Sequence, residues 1–119
     1  MKLYHLFCLI FILVINCTCI YAASAVAWCR DTSTYGYSYG HPTESKAQYH
    51  AIQECYRHGG KSPHIICSTN GNGYGAIAIS ANGRSIGASV GHPNQKSADN
   101  TAIRYCRGAN PSIQERWND

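Results

Sequence analysis

GYSYGHPTESKAQYHAIQEC at residues 36–55 and GASVGHPNQKSADNTAIRYC at residues 87–106 decide the fold of this chain. The second stretch matches the first without a gap after a shift of 51 residues, and the match extends back to Ser24 and Gly75. Over that longer window, 11 of 32 positions are identical. A fixed internal repeat indicates a duplicated structural unit, and two copies favour one pseudo-symmetric domain over an open solenoid.

Each copy begins with the signals of a β-hairpin. In the second copy, two alternating runs at residues 76–81 and 84–91 flank the dipeptide Asn-Gly at residues 82–83. Asn-Gly is a strong hairpin signal because both residues tolerate a positive φ. The first copy has Asp-Thr-Ser at residues 31–33 in this place, and these residue types also favour a turn.

A helix follows the hairpin in both copies. Thr43 and Asn94 take matched positions between a proline and a helix-compatible run, so both are predicted N-caps. Two alanines and a cysteine recur at a spacing of four residues along each helix and therefore share one side of it. The helices are predicted to end at about Arg57 and Arg107, before the stop signals Gly59 and Gly108.

A third strand completes each unit, at residues 64–68 in the first copy and 113–117 in the second. A turn-rich linker, Thr-Asn-Gly-Asn-Gly at residues 69–73, joins the copies. We therefore predict an α+β fold, a tandem pseudo-symmetric duplication of a β-β-α-β unit with antiparallel hairpins, one helix per repeat and disulfide staples. The predicted domain covers 24–119, with repeat one at 24–70 and repeat two at 71–119.

The two faces of each hairpin differ in side-chain size. Alanine, glycine and serine share one parity along the strands, whereas tyrosine, tryptophan, isoleucine and valine dominate the other. Small residues on both partners allow the helix to approach the sheet closely. The face of large residues must then be buried against the other copy, a second molecule or a ligand.

Residues 1–23 are predicted to be a secretory signal peptide. One cation, Lys2, precedes an apolar stretch at residues 3–20, and small residues follow it. Cleavage after Ala22 or Ala23 is favoured, and Ala25 is a third site that fits the small-x-small rule. The alternative is an uncleaved membrane anchor, since the stretch is nearly long enough to span a bilayer. We expect export to the periplasm or the extracellular space, with no stable membrane span after signal removal.

Four cysteines remain after signal removal, and they are predicted to form two disulfides: Cys29, Cys55, Cys67 and Cys106. Each bridge would contribute about 2–4 kcal/mol, a large share of the stability of a small domain. The short loop from Cys55 to Cys67 favours that pair and leaves Cys29 for Cys106. The alternative is Cys29–Cys55 with Cys67–Cys106, because Cys29 lies on the small face that Cys55 would meet. The wide spacings argue against zinc.

Composition and motifs exclude several classes of function. The net charge is +4, or +3 without Lys2, and the basic residues are scattered, so no nucleic-acid partner is predicted. The chain has no metal-ligand motif and no acids spaced as a glycosidase pair. Oxidised cysteines cannot serve as nucleophiles. We expect a protein that is not an enzyme and has no catalytic residues, cofactor or metal.

The pattern of hairpin and helix resembles a known family. The residues that carry the resemblance are YGAIAIS at 74–80, YSYGHPT at 37–43 and the alanine-spaced helix that ends in cysteine at 47–55. Over nearly all of its mature length the chain is similar to the bacterial exported family catalogued as domain of unknown function 4189. The resemblance implies the fold, export and host-facing or interbacterial roles, and it brings no catalytic residues. At two cysteine positions the second copy has Ser80 and Glu115, so a disulfide pattern does not transfer from relatives.

Six residues are candidates for partner binding: Trp28, Tyr35, Tyr37, Tyr39, His41 and His92. The tyrosine stripe with its neighbouring tryptophan suits a protein interface or sugar stacking, because these rings combine an apolar body with a polar tip. Alternatively, the tyrosines pack at the edge of the core. The histidines recur at the two strand-to-helix corners, either as a symmetric pair for metal binding or pH sensing or as cover for the helix start.

We expect a small secreted or periplasmic protein-binding module, most concretely an inhibitor or immunity protein against a toxin or hydrolase. The first alternative is a secreted factor that acts on a host protein or another cell-surface target. The second is a small hydrolase that uses His41 or His92. The sequence leaves open whether the protein is a monomer or a homodimer.

Overall fold

A computed structural model describes residues 21–119 and confirms the β-β-α-β order of both repeats. The first repeat contains β1 (Ala23–Cys29), β2 (Thr34–His41), α1 (Glu44–Arg57) and β3 (His64–Thr69). The second contains β4 (Tyr74–Ile79), β5 (Ile86–His92), α2 (Gln95–Tyr105) and β6 (Ser112–Asn118). Neither of these helices is long and apolar enough to cross a membrane. The predicted signal peptide lies, up to residue 20, outside the described residues and stays a prediction.

Each repeat forms one three-stranded antiparallel sheet with the first hairpin strand in the middle, in the orders β2-β1-β3 and β5-β4-β6. Both sheets carry bulges at matched places. One lies near Gly40 in β2 and Gly91 in β5, where φ is 74° and 69°, a conformation that glycine adopts without steric cost. The other places one extra residue in the third strand, Ile66 in β3 and Gln114 in β6.

The N-caps of both helices are the predicted ones. The Thr43 hydroxyl accepts a hydrogen bond from the Lys46 amide at 3.1 Å. The Asn94 side-chain oxygen accepts one from the Ser97 amide at 2.8 Å. Each cap satisfies one of the free amides of the first helical turn, which fixes the point where the chain leaves the sheet edge.

The helix ends differ between the repeats. α1 runs to Arg57 as predicted, and Gly59 follows with a φ of 95°. α2 stops at Tyr105, two residues before the predicted end, because Cys106 takes an extended conformation. Gly108 is therefore not a helix stop. It lies so close to Ser80 that an added Cβ would come within 2.3 Å of that side chain.

The molecule has four layers, with the two sheets face to face and one helix outside each sheet. Small side chains fill the space between each sheet and its helix. In the first repeat these are Ala23, Ala25, Ala27, Cys29, Ala47, Ala51 and Cys55, and in the second Ala76, Ala78, Ala98, Ala102 and Cys106. The large faces meet between the sheets around Val26, Ile77, Ala88 and Trp117. Of the three partners considered for the large face, the other copy is the one that covers it.

Glycine on the helix-facing side of each hairpin allows the close approach predicted from the small residues. A Cβ at Gly36 would lie 2.3 Å from the Ala51 carbonyl oxygen, and one at Gly87 would lie 1.9 Å from that of Ala102. Backbone cannot move away cheaply, so neither position accepts a larger residue. The helix axis is thus held against the edge strand, and the end of the helix comes to lie beside β2 or β5.

Candidate functional site

The tyrosine stripe lies along β2, an edge strand, and contacts the second repeat. Tyr37 stacks on Trp117 with ring centroids 5.2 Å apart, and Tyr39 lies 6.3 Å from both of these rings. Tyr35 and Tyr37 pack against the core between the sheets, whereas Tyr39 is 51% exposed. Two of the three tyrosines therefore contribute to the core, and only Tyr39 presents a largely free ring.

Glu115 of β6 receives hydrogen bonds from two tyrosines of the other repeat. The Tyr35 hydroxyl donates to one carboxylate oxygen at 3.1 Å, and the Tyr37 hydroxyl donates to the other at 2.8 Å. The bulge at Gln114 turns Glu115 towards β2, on the same side as Trp117. Burial, followed by the charge of Glu115, raises the pKa of Tyr35 to about 12. The same causes raise the pKa of Tyr37 still further.

The carboxylate of Glu115 lies in an open groove of about 440 Å³ along β2. Tyr35 and Tyr37 line this groove beside it, and Glu54 and His58 line it from the end of α1. We call these five residues the acidic groove. Glu54 forms an ion pair with Arg57 at 2.6 Å. The carboxylate of Glu115 forms no ion pair with any of the described residues.

Electrostatics in the acidic groove favour a cation. A helix carries a partial negative charge of about half an elementary charge at its C-terminus, and the last turn of α1 lines this groove. An ionised carboxylate has about four acceptor sites, of which the two tyrosine hydroxyls use two on Glu115. The remaining sites can accept hydrogen bonds from a guanidinium or ammonium group.

The other three predicted site residues lie elsewhere. Trp28 is half-buried in a second groove, on the second-repeat side of the molecule. The ring of His41 stacks on His50 at 4.4 Å, and burial and the neighbouring His50 lower the pKa of His41. His92 lies 2.8 Å from the Ser97 hydroxyl near the start of α2. Each histidine thus interacts within its own repeat, and nowhere in residues 21–119 do three metal-ligating side chains converge.

All four cysteines of the described chain are free thiols, and two of them are neighbours. Cys29 accepts hydrogen bonds from the amides of Lys61 and Ser62 at 3.0 and 2.9 Å. Burial acts to raise the pKa of the Cys29 thiol, but hydrogen bonds from Ser62, Thr32, Lys61 and Cys55 outweigh it and lower the pKa. Burial, followed by the charge of Cys29, raises the pKa of Cys55 to about 11.

The preferred disulfide pairing, Cys55–Cys67 with Cys29–Cys106, is incompatible with this arrangement. Cys29 and Cys55 share the core under α1, Cys67 faces the core between the sheets, and Cys106 belongs to the core under α2. A bridge from Cys29 to Cys106 would have to pass through both sheets. Of the alternative pairing, the structure supports the proximity of Cys29 and Cys55 and separates Cys67 from Cys106 by one sheet.

The sequence reasoning missed the acidic residues of the groove and the tryptophan beside it. Glu115 and Trp117 lie two residues apart in one strand, so their side chains are on the same face of the sheet. The available signal was a carboxylate on the strand face that also carries a large aromatic residue. Glu54 and His58 carried no such signal, because they are four residues apart on an otherwise polar helix end.

Comparison with known proteins gives the family. The family model described as Domain of unknown function (DUF4189) matches the chain twice, over residues 21–73 and 74–115. No curated protein and no solved structure matches the chain significantly. The two matches meet at the linker between the repeats and cover most of the chain. The chain therefore belongs to the DUF4189 family and contains two copies of its domain.

Proposed function

We propose that this protein is an exported, non-catalytic protein-binding module whose acidic groove receives a basic side chain of its partner. The observation that carries the proposal is the carboxylate of Glu115, fixed by the hydroxyls of Tyr35 and Tyr37 in an open groove. A carboxylate whose position is already fixed loses little conformational entropy when a ligand binds. The groove is therefore preorganised for a donor with a defined geometry.

An arginine is the side chain that fits this groove best. Its planar guanidinium forms paired hydrogen bonds with a carboxylate and stacks on aromatic rings. The groove offers both, since the carboxylate of Glu115 has free acceptor sites and the half-exposed ring of Tyr35 lines the groove beside it. The C-terminal end of α1 adds a partial negative charge on the opposite wall, where Glu54 is paired with Arg57.

The most concrete role for such a module is that of an inhibitor or immunity protein that covers a toxin or hydrolase. Toxins and hydrolases that act on anionic polymers carry arginines at their active sites, where a small rigid domain can bind. A secreted factor that binds a host or cell-surface protein would use the same groove. The source of the partner separates the two roles, because an immunity protein binds a protein made by its own cell or by a competitor.

Affinity capture with matched variants tests the proposal. The purified wild-type protein and the Glu115→Gln and Glu44→Gln variants are used as baits for secreted and periplasmic fractions, and the affinity of any retained protein is measured by surface plasmon resonance. Glu44→Gln removes the same charge at the opposite end of α1. We expect one saturable partner. Its affinity should fall about tenfold or more with Glu115→Gln, because hydrogen bonds to charged groups contribute about 1.5–3 kcal/mol. Its affinity for Glu44→Gln should equal that for the wild-type protein.

Two results would contradict the proposal. A partner that binds wild type and Glu115→Gln equally would show that the acidic groove is not the binding site. Recovery of no saturable protein from any fraction would argue against a protein partner altogether. A double variant, Tyr35→Phe with Tyr37→Phe, refines the test because it keeps the charge of Glu115 but removes the two hydrogen bonds that fix it, and we expect an intermediate loss of affinity.

A further inference from the structure

A second groove occupies the matching position in the second repeat, and its charge is opposite. It has a volume of about 420 Å³ and lies along β5 beside the end of α2, as the acidic groove lies along β2 beside the end of α1. The matched pairs of lining residues, 51 positions apart, are Ser33 and Arg84, Tyr35 and Ile86, Tyr37 and Ala88, and Glu54 and Tyr105. The scaffold is thus the same, while the side chains that face the groove differ.

Three arginines from separate parts of the chain converge on this second groove. Arg30 follows β1, Arg84 belongs to the turn of the second hairpin, and Arg107 follows α2. All three are exposed, and within residues 21–119 the ion pairs are formed by Arg57 and Arg116 instead. Like charges that converge repel one another. The acidic groove shows that the fold can be built without cations at this place, so the three charges are not a requirement of the scaffold.

The magnitude of the local charge decides which ligand the groove favours. The end of α2 contributes a partial negative charge of about half an elementary charge, as α1 does in the first repeat. Three guanidinium groups exceed it about sixfold in charge and reverse its sign. A guanidinium binds phosphate, sulfate and carboxylate oxygens with paired hydrogen bonds, so the groove favours an anion.

The floor of the groove is aromatic and apolar. Trp28 lies half-buried in it, and Tyr105 is 63% exposed at its rim. Ile66, placed there by the bulge in β3, is 41% exposed. A bare inorganic anion would leave these surfaces uncovered. A ring with one apolar face and anionic substituents would cover them, as sugars do when they stack on tryptophan and tyrosine.

We propose that this second groove, the three-arginine groove, binds an anionic glycan: a sugar that carries phosphate, sulfate or carboxylate groups. The ring stacks on Trp28 or Tyr105, and the anionic groups bind Arg30, Arg84 and Arg107. The volume suits one or two sugar rings rather than a long chain of phosphates, and the acidic groove on the opposite side would repel an extended polyanion. This site is separate from the acidic groove and goes beyond the function proposed for that groove.

Isothermal titration calorimetry of the purified protein tests this proposal. The probes are a sulfated glycan disaccharide, mannose 6-phosphate, trigalacturonic acid, neutral maltotriose and inorganic sulfate. We expect at least one anionic sugar to bind tenfold or more tightly than either maltotriose or sulfate, with an affinity that falls as sodium chloride is raised. The anionic sugar that binds most tightly identifies the chemical source of the anion.

Variants assign the binding to the groove. The affinity for the best anionic sugar is expected to fall about fivefold in each of four variants: Arg30→Gln, Arg84→Gln, Arg107→Gln and Trp28→Ala. The control variant Arg57→Gln, which changes an exposed arginine of α1, is expected to leave this affinity unchanged. Because the three arginines are exposed, these variants should fold, which circular dichroism checks. Glu115→Gln is expected to leave sugar binding intact, so failure here and failure of the acidic groove are distinguishable.

Several results would overturn the proposal. Equal binding of maltotriose would show that charge is not recognised, and equal binding of sulfate would show that the ring is not. Tighter binding of an acidic hexapeptide or a single-stranded oligonucleotide than of any sugar would assign the groove to that class of ligand instead. Unchanged affinity in the triple arginine variant would place any sugar binding outside the groove.

Discussion

Oxidation is expected to join Cys29 to Cys55 and to leave Cys67 and Cys106 as thiols. Cys29 and Cys55 are hydrogen-bonded neighbours in the core under α1, whereas each of the other two lies in a different core. The hydrogen bonds that lower the pKa of Cys29 stabilise its thiolate, which is the form that attacks in disulfide formation. The bridge would tie the end of β1 to the last turn of α1, at the base of the acidic groove.

The expected gain in stability follows from the length of the closed loop. Cys29 and Cys55 are 26 residues apart. A cross-link over that length removes conformational entropy from the unfolded chain that corresponds to about 3.5 kcal/mol at 25 °C. For a domain of this size, such a difference corresponds to a rise in Tm of roughly 15–30 °C.

The assay compares oxidised and reduced protein in urea, with peptide mapping by mass spectrometry to identify the bridge. The double variant Cys29→Ser with Cys55→Ser should lose the difference between oxidised and reduced samples, and Cys67→Ser with Cys106→Ser should keep it. A mapped bridge between Cys67 and Cys106 would refute the packing arrangement described above. If the oxidised sample contains the mapped Cys29–Cys55 bridge but has the same urea midpoint as the reduced sample, the bridge does not stabilise the fold through the entropy of the unfolded chain.

Three further predictions concern the packing of Trp117 and the contacts of the tyrosine stripe with Glu115. Gly75→Ala should lower the free energy of unfolding by about 1–3 kcal/mol, because an added Cβ would lie 2.1 Å from the buried tryptophan ring that covers it. Gly71→Ala should change the urea midpoint little, because its Cβ would make only an ordinary contact with the Thr69 hydroxyl at 3.8 Å. A double-mutant cycle of Tyr37→Phe and Glu115→Gln should give a coupling free energy of about 1 kcal/mol. This value is smaller than for a fully buried pair because both groups are half exposed. A coupling free energy of zero would mean that the hydrogen bond adds no stability. Because the pKa of Tyr35 is raised in the folded protein, its contribution to stability is complete below pH 10 and is lost as the pH rises through about 12. The urea midpoint of the wild-type protein should therefore fall over that pH range, and that of Tyr35→Phe should fall less.

The fold was predictable because the duplication repeats its local signals. The hairpin turns, the N-caps at Thr43 and Asn94 and the small face of the sheets each appeared twice, and matched positions agreed. The error at the end of α2 has a local cause. Gly108 resembled a stop signal, but its lack of a side chain serves the contact with Ser80, which is distant in sequence. A glycine in a sequence does not reveal which of its two uses applies.

The site was only partly predictable because its parts come from different repeats. The tyrosine stripe was identified as an asymmetry between the copies, yet its partner Glu115 is 78 residues away from Tyr37. Pairing between them depends on how the two sheets pack and on the bulge at Gln114, and neither feature has a signal in one strand alone. The disulfide pairing failed for the same reason, because loop length says nothing about which face of a sheet Cys67 occupies.

The distribution of identities between the repeats explains how two opposite grooves arise from one scaffold. In β2 and β5, glycine and serine recur at Gly36, Ser38 and Gly40 and at their matched positions, and these residues face the helix or form the bulge. Tyr35, Tyr37 and Tyr39, of the other parity, face the second sheet or the groove, and all three differ from their counterparts in the second copy. Contact with the helix thus restricts one face to small residues, whereas the opposite face can change as long as the core between the sheets stays filled. A tyrosine pair that binds Glu115 fills that core on one side, and isoleucine and alanine fill it on the other, where the rim is left to three arginines.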